Sequence, residues 1–454
     1  LTREIYKKIN IVFFKYNLRM GTTQVTDKFM NELELIFKDM GHIVTIIDFN
    51  KYALHKNSIK LDYVINSDGV QIVFKDMEQT TTDFAEYGLP KDLVKVDYVI
   101  NFSLTLAGVP SLFKFFTDNN VIVGSLLVDP PIHAGVLIKN TPKKNTFIGM
   151  FAESFFNSYE KYIDNTRILA HLMQAGSKAL TNKKNIDVIM TANLHEIKVP
   201  EDIINKSLEK LEIGETKKNL LKKFIEKVYN KACNDFNKTM EECIEEVILE
   251  NEDIQIAMNI EALKPIFFEE VYRAVDWCRR MKYRHKVVRT LLDNDIKVEF
   301  WLNSKDKFFN EYSNFKDNGK LPYPEIVEKI AESKILLQDL YPVKNGGSER
   351  IFNAMLNRTL VISNRNSFAN DELIDGVNII YYDANNLNEL VEKVRFYTEN
   401  YDLAQPIIEN AYKLVSEKHT WKNRAEELIN MYYIRNISTV LRVWEESFFD
   451  RRNR

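Results

Sequence analysis

Hydrophobic residues in this chain fall into two alternating patterns. Short, mostly apolar runs at Ile9–Phe14, Ile43–Ile47, Asp97–Phe102 and Val121–Val128 are too short for buried helices and read as strands covered on both faces. Between the first two, apolar residues recur at helical spacing over Val25–Lys38, and Gly41–His42 closes that helix. Strand, polar loop, helix and strand in this order open a doubly wound sheet, whose ligands collect beyond the carboxyl ends of the strands. Gly21, Thr22 and Gln24 are therefore expected on a ligand-facing loop, and His42, at the opposite strand end, as a structural residue. Tyr63–Ile65 and Val70–Phe74 flank Ser67-Asp68-Gly69 and read as a hairpin. Phe147–Met150, the segment Glu153–Ile163 and Ile168–Met173 complete the first half.

The alternation restarts after a Lys/Asn-rich stretch near Ser177–Lys184, with a strand at Ile186–Thr191. From Lys198 to about Met281 strand signal is almost absent. LLKKFIEKVYNKACNDF and MEECIEEVILENEDI carry long helical periodicity instead, with a Glu/Lys mixture that suits a solvated face. Strands at Lys297–Leu302, Lys334–Gln338, Thr359–Ser363 and Ile379–Tyr382 then alternate with helices at Glu325–Ala331, behind Ser348, at Leu387–Tyr397 and at Pro406–Glu417. The expected fold is α/β, with two Rossmann-like doubly wound parallel sheets. One domain is expected at 1–180 and a second at 181–420, with a helical insertion at about 198–281, and a terminal helix at 421–454 that packs back across both.

Composition narrows the classes. A chain of 454 residues exceeds one comfortable core, and 45% apolar with 28% charged residues is that of a globular protein. A net charge of −3 leaves no footprint for a polyanion, so nucleic acid is not an expected partner. Three cysteines, Cys233, Cys243 and Cys278, form neither a disulfide framework nor a metal cluster, which suits a reducing cytosol and a cytoplasmic protein. No apolar run approaches the about 20 residues of a membrane span, and no secretory leader is recognised.

Candidate chemistry concentrates at SKILLQDLYPVKNGGSERIFNAMLNRTLVIS, a strand, a glycine loop, a short helix and a strand. Gly346 and Gly347 let a backbone approach a ligand, and Ser348 stands at an N-cap position. The first-turn N–H groups behind it are expected unpaired at the positive end of the helix dipole, a seat for phosphate, with Arg350 as a supporting cation. Glu349 would repel a phosphate placed too close and could instead accept from a ribose diol. The plain alternative is an αβ turn with glycines for geometry only. Asp129 and His133 lie beyond a strand end in Asp129-Pro130-Pro131-Ile132-His133, where prolines fix the backbone. They read equally as a general base or sugar contact, or as a rigid loop with a solvated Asp and a packed His. Arg279, Arg280, Arg284 and Arg289 could form a cationic stripe, although packing and solvation suit most of them. Asp293-Asn294-Asp295 looks like a Mn²⁺-binding triplet but sits at the amino end of a strand, where turn chemistry explains it better.

LPYPEIVEKIAESKILL, NGGSERIFNAMLNRTLVIS, DELIDGVNIIYYD and KHTWKNRAEELI together resemble the C-terminal domain of the CgeB-like, spore-maturation type of glycosyltransferase, over roughly Lys286–Ile429. The first half is only loosely similar, through Asp129–His133, the aromatic segment near Glu153–Tyr162, and LAHLMQAGS at Leu169–Ser177. The resemblance implies a GT-B architecture, two Rossmann-like domains facing a cleft. It implies transfer of a sugar from a nucleoside diphosphate sugar, a UDP-sugar being favoured, to a protein or glycan acceptor, without a metal or other cofactor.

Asn345, Gly346, Gly347 and Ser348 then look like the donor diphosphate and sugar site, with Glu349 and Arg350 beside them, and Tyr323 like the base-binding edge. Asn353 and Asn345 fall where related retaining enzymes place glutamates for the ribose and the transferred sugar, and Ser348 where this branch commonly has His. Catalysis would rest on Arg350 and on Asp129 or His133 as base if the enzyme inverts. If it retains, as the fold suggests, no enzymic base is needed. Two other readings stay open: an inactive binding partner of an active transferase, and a sugar-nucleotide epimerase. A homo-oligomer is also compatible.

Overall fold

The computed structural model describes residues 8–15, 23–48, 59–66, 69–76, 94–108, 110–181, 183–302, 304, 308–339, 346–365 and 372–452. Two compact units divide the chain. Unit 1 comprises Leu1–Met150, Thr166–Leu172 and Trp421–Arg454; unit 2 comprises Phe151–Asn165 and Met173–Thr420. The expected site residues Gly21, Thr22 and Asn345, and the hairpin residues Ser67 and Asp68, lie outside the described residues.

In unit 1, β1 (Asn10–Lys15), α1 (Thr23–Asp39) and β2 (Ile43–Asp48) form the opening βαβ unit. Phe29, Met30, Leu33 and Phe37 give α1 one buried face, and Gly41, at φ +90°, ends it with the left-handed turn that glycine favours. His42 is buried behind this turn; its Nδ1 accepts from the Ile9 amide at 3.4 Å, and burial lowers its pKa. Two strands, β3 (Ile59–Asn66) and β4 (Gly69–Asp76), pair antiparallel, and β5 (Val94–Val96) adds to them. The chain continues through β6 (Tyr98–Phe102), α2 (Pro110–Asp118), β7 (Ile122–Leu126), α3 (Gly135–Lys139) and β8 (Thr146–Met150). It then supplies α4 (Glu153–Tyr162) to unit 2 and returns as β9 (Leu169–His171). The sheet order is β2-β1-β6-β7-β8-β9, all parallel.

Unit 2 carries β10 (Ile186–Thr191) and then the helices α5 (Pro200–Leu208), α6 (Glu215–Asn234), α7 (Met240–Glu250), α8 (Glu252–Met258) and α9 (Lys264–Asp293). Thr239 caps α7 in a reciprocal box with Glu242, at 3.1 and 2.8 Å. Next come β11 (Glu299–Trp301), α10 (Tyr323–Ala331), β12 (Ser333–Gln338), α11 (Glu349–Leu356), β13 (Leu360–Asn364), β14 (Ile380–Tyr382), α12 (Leu387–Glu399) and α13 (Gln405–Lys418). The parallel sheet runs β11-β10-β12-β13-β14. Val188, Met190, Ile335, Leu337, Leu360 and Ile362 face a core with the C-terminal part of α9 and with α12. Strand residues of the other parity, Thr191, Gln338 and Ser363 among them, face the side that α10 and α11 cover.

The last helix, α14 (Trp421–Arg452), belongs to unit 1. Its Trp421 ring centre lies 4.4 Å from that of Phe29, the rings tilted by 42°, and the Leu428 carbonyl accepts from the Tyr98 hydroxyl at 3.3 Å. Two Rossmann-like parallel-sheet units with a helical C-terminal part are thus the architecture, as the alternation of strand and helix signals implies. Gln24 differs from expectation. It is the second residue of α1 and not part of a loop, because the helix extends two polar residues, Thr23 and Gln24, ahead of the apolar repeat that marks Val25–Lys38.

Candidate functional site

The α11 amino end is built as its sequence demands. Ser348 adopts extended backbone angles (φ −81°, ψ 142°), and its Oγ accepts from the Arg350 amide at 3.3 Å, a side-chain N-cap. The expectation that the first-turn N–H groups are unpaired needs correcting. The Glu349 amide donates to Gln174 Oε1 at 2.8 Å, and the Ile351 amide donates to the Ser348 carbonyl at 3.1 Å. Gly346 and Gly347 are buried. Gly346 forms an antiparallel bridge with Ala152, and a Cβ there would lie 2.4 Å from the Ala152 Cβ. Close packing of two main chains therefore demands the glycine.

Cations gather at the carboxyl ends of β10 and β12. A guanidinium NH of Arg350 donates to the Thr191 carbonyl at 2.5 Å, and its Nε lies 3.7 Å from a Glu349 carboxylate oxygen. The other Glu349 oxygen accepts from Ser348 Oγ at 3.0 Å. Arg284, on α9, forms an ion pair with buried Asp339 and donates to the Asn193 carbonyl at 2.7 Å. Burial lowers the Arg284 pKa; Asp339 opposes this, while Arg350 and Arg280 add to it. Two guanidinium groups, those of Arg284 and Arg350, are thus held by carbonyls at and just beyond the end of β10, where parallel sheets bind ligands.

The other arginines of the expected stripe do not share this place. Arg279 is buried and donates to the Asp235 and Lys238 carbonyls; Arg280 pairs with Asp276; the Arg289 guanidinium lies 5.8 Å from the Phe309 ring centre. Consecutive helical positions point about 100° apart, so four arginines at this spacing cannot form one line.

Tyr323 and Asn353 are joined. Asn353 is fully enclosed; its Nδ2 donates to the Tyr323 hydroxyl at 2.9 Å and its Oδ1 accepts from the Ser177 amide at 2.7 Å. The side chain thereby ties α11 to α10 and to the segment at 173–177.

In unit 1, Asp129 and His133 are both exposed just beyond β7, on a turn where the His133 amide donates to the Pro130 carbonyl at 3.0 Å. Ser103 and Leu104, at the carboxyl end of β6, both have positive φ (51° and 58°), a strained pair that no sequence signal announced. Asp293-Asn294-Asp295 ends α9: Asn294 is its C-cap and Asp295 turns through φ 51°. Among the described residues no group of three His, Cys, Asp or Glu side chains is placed to hold a metal ion, and no helix is long and apolar enough to cross a membrane.

Gln174, Asp339 and Gln338 were assigned no role from the sequence. Gln174 lies within LAHLMQAGS, but its partner Glu349 is 175 positions away.

A family model described as glycosyl transferase-like matches residues 279–430, about a third of the chain, which includes α10, α11 and most of the unit 2 sheet. No curated protein sequence matches the chain. Solved structures with a related chain course include the DNA-modifying enzyme β-glucosyltransferase, at 13% identity and a TM-score of 0.46 over 94% of this chain and 99% of that one. Sucrose-phosphate synthase from Thermosynechococcus elongatus gives 8% and 0.46 over 94% and 98%. HepE from Anabaena, in complex with UDP and glucose, gives 9% and 0.42 over 93% and 99%.

Proposed function

We propose that this protein is a glycosyltransferase, of the CgeB-like branch of the GT-B class, that moves a sugar from a nucleoside diphosphate sugar to a protein or glycan acceptor. The observation that carries this reading is the convergence of the α11 amino end, Arg350 and Arg284 on the carboxyl edge of the unit 2 sheet, inside the segment that matches the glycosyl transferase-like family. A UDP-sugar is the favoured donor, and no metal is called for. The helix dipole and the two arginines stabilise the negative charge that grows on the departing nucleoside diphosphate. In retention through front-face attack the departing phosphate oxygen takes the acceptor proton, so no enzymic base is needed. Asp129 or His133 takes the acceptor proton if the reaction inverts.

Calorimetric titration with UDP, GDP and ADP, followed by mass spectrometry of UDP-sugar turnover with candidate acceptors, tests the proposal. Binding of one nucleoside diphosphate, and a fall in turnover of about 10²–10³ in Arg350→Ala with the fold intact, are expected. No binding of any of the three refutes it. A second reading draws on the enclosed Asn353 and the engaged amides: a binding partner without catalysis. It predicts nucleotide binding with neither transfer nor donor hydrolysis. Conversion of the donor alone to another sugar nucleotide would mark an epimerase.

A further inference from the structure

We propose that Gln338 and Thr191 form a specificity pair that reads the hydroxyl groups of the transferred sugar beside the donor phosphates. This rests on the functional reading above and adds to it the residues that select the sugar.

The two side chains stand together. Thr191 is the last residue of β10 and Gln338 the last of β12. They follow directly on Met190 and Leu337, which are partners in the parallel ladder, so they occupy neighbouring positions at the carboxyl edge of the sheet. Met190 and Leu337 face the core with α9 and α12. One residue on, the alternation of the strand turns Thr191 and Gln338 to the side that α10 and α11 cover.

Both are enclosed and neither is satisfied. Gln338 is 2% exposed and Thr191 4%. Among the described residues the Thr191 hydroxyl has no hydrogen-bond partner, and neither has Gln338 Oε1 or Nε2. The two do not even bond to each other, although their donors and acceptors are complementary. Enclosed polar groups without partners are uncommon in native proteins and accumulate where a ligand or water completes the set. The next positions differ. Ser363, the partner of Gln338 on β13, donates its hydroxyl to the Asn364 carbonyl at 3.2 Å. The Asn364 amide also lacks partners, but it shares the parity of Ile362 and faces the α9 and α12 side.

The chemistry of the pair points to its ligand. Phosphate is drawn to cations, and Arg350 supplies one at this edge, where its guanidinium donates to the Thr191 carbonyl at 2.5 Å. Thr191 and Gln338 are neutral and offer both donors and acceptors. A hydroxyl, which gives and takes a hydrogen bond, satisfies such a set. The sugar of the donor is bonded to the phosphate and carries more free hydroxyls than the ribose, so it is the better match for three unmet atoms.

Calorimetry on the full chain tests this, with the nucleoside diphosphate that the wild-type chain binds and with its glucose conjugate, UDP and UDP-glucose for example. Gln338→Met and Thr191→Val nearly keep the volume and remove the polar atoms. Each is expected to weaken the glucose conjugate about three- to tenfold while changing the dissociation constant of the bare diphosphate less than about twofold. Because neither side chain is bonded to the protein, both variants should melt no lower than wild type in the absence of nucleotide. An unchanged ratio of the two dissociation constants overturns the proposal. Equal weakening of both ligands gives the pair to the ribose and overturns it as well, and a lower melt does so by showing a structural role. Failure of the wild-type chain to bind UDP, GDP and ADP refutes the transferase reading instead, so the two failures are told apart.

Discussion

Replacing Asn353 by alanine separates a structural role from a ligand-binding one. The resemblance places Asn353 at a ribose contact, whereas the fold encloses it completely and uses both ends of its amide. Losing two hydrogen bonds removes about 0.5–1.5 kcal/mol each, and taking the acceptor from the buried Ser177 amide adds about 1–3 kcal/mol. These overlap, so a loss of about 2–4 kcal/mol is expected from unit 2. Urea unfolding followed by fluorescence and by far-ultraviolet dichroism measures it. Tyr323→Phe removes the acceptor for Nδ2 and is expected to cost about 1 kcal/mol. In the double variant the two effects should fail to add by a similar amount, since the residues share one bond. A variant Asn353→Ala that unfolds like wild type but loses nucleoside diphosphate affinity would refute this reasoning and return the residue to the ribose.

Three further perturbations follow from the packing and charges of unit 2. Gly346→Ala forces its methyl to within 2.4 Å of the Ala152 Cβ and 2.7 Å of the Phe151 carbonyl oxygen; a stability loss of about 1–3 kcal/mol is expected, with weaker nucleotide binding because the entry to α11 must shift. An unchanged urea midpoint would count against it. Arg284→Met strands the buried Asp339 carboxylate, whose Oδ1 already has no hydrogen-bond partner, and should cost about 3–5 kcal/mol, most of it recovered in Arg284→Met/Asp339→Leu. Equal unfolding of the single and double variants would contradict this. Burial raises the pKa of Glu241 from 4.5 to about 7, reinforced by Asp276, while backbone hydrogen bonding opposes the shift. The folded state then holds a proton that the unfolded chain has released, so this residue subtracts stability as pH rises from about 4.5 through 7. Glu241→Gln should leave stability nearly unchanged at pH 4.5 and raise it by about 3 kcal/mol at pH 8; equal effects at both pH values would exclude the linkage.

What was legible in the sequence was local. Unbroken runs such as Ile186–Thr191 and the helical spacing of Phe29, Leu33 and Phe37 report burial over a few residues, so both sheets and the longer amphipathic helices could be read directly, whereas the short α2 and α3 could not. Ser348 announced its cap because an N-cap bond spans only two positions. The site was harder for the same reason. Gly346 reads as a flexible residue for a ligand, yet its neighbour in space is Ala152, which no pattern near Gly346 reveals. Arg284 looked like one member of a stripe until Asp339 and Asn193 singled it out. Partners that are distant in the chain decide which polar residues are free for chemistry, and spacing alone does not identify them.

One helix unites these observations. The body of α11 is tied to the segment at 173–177 through Asn353, Phe352 and Gly176, and its first amide is tied to the same segment through Gln174. The Gln174 carbonyl satisfies that amide and so keeps the helix end ordered. A helix end kept ordered in this way needs little reorganisation when a phosphate arrives, which is the condition under which a dipole contributes most to binding a developing charge.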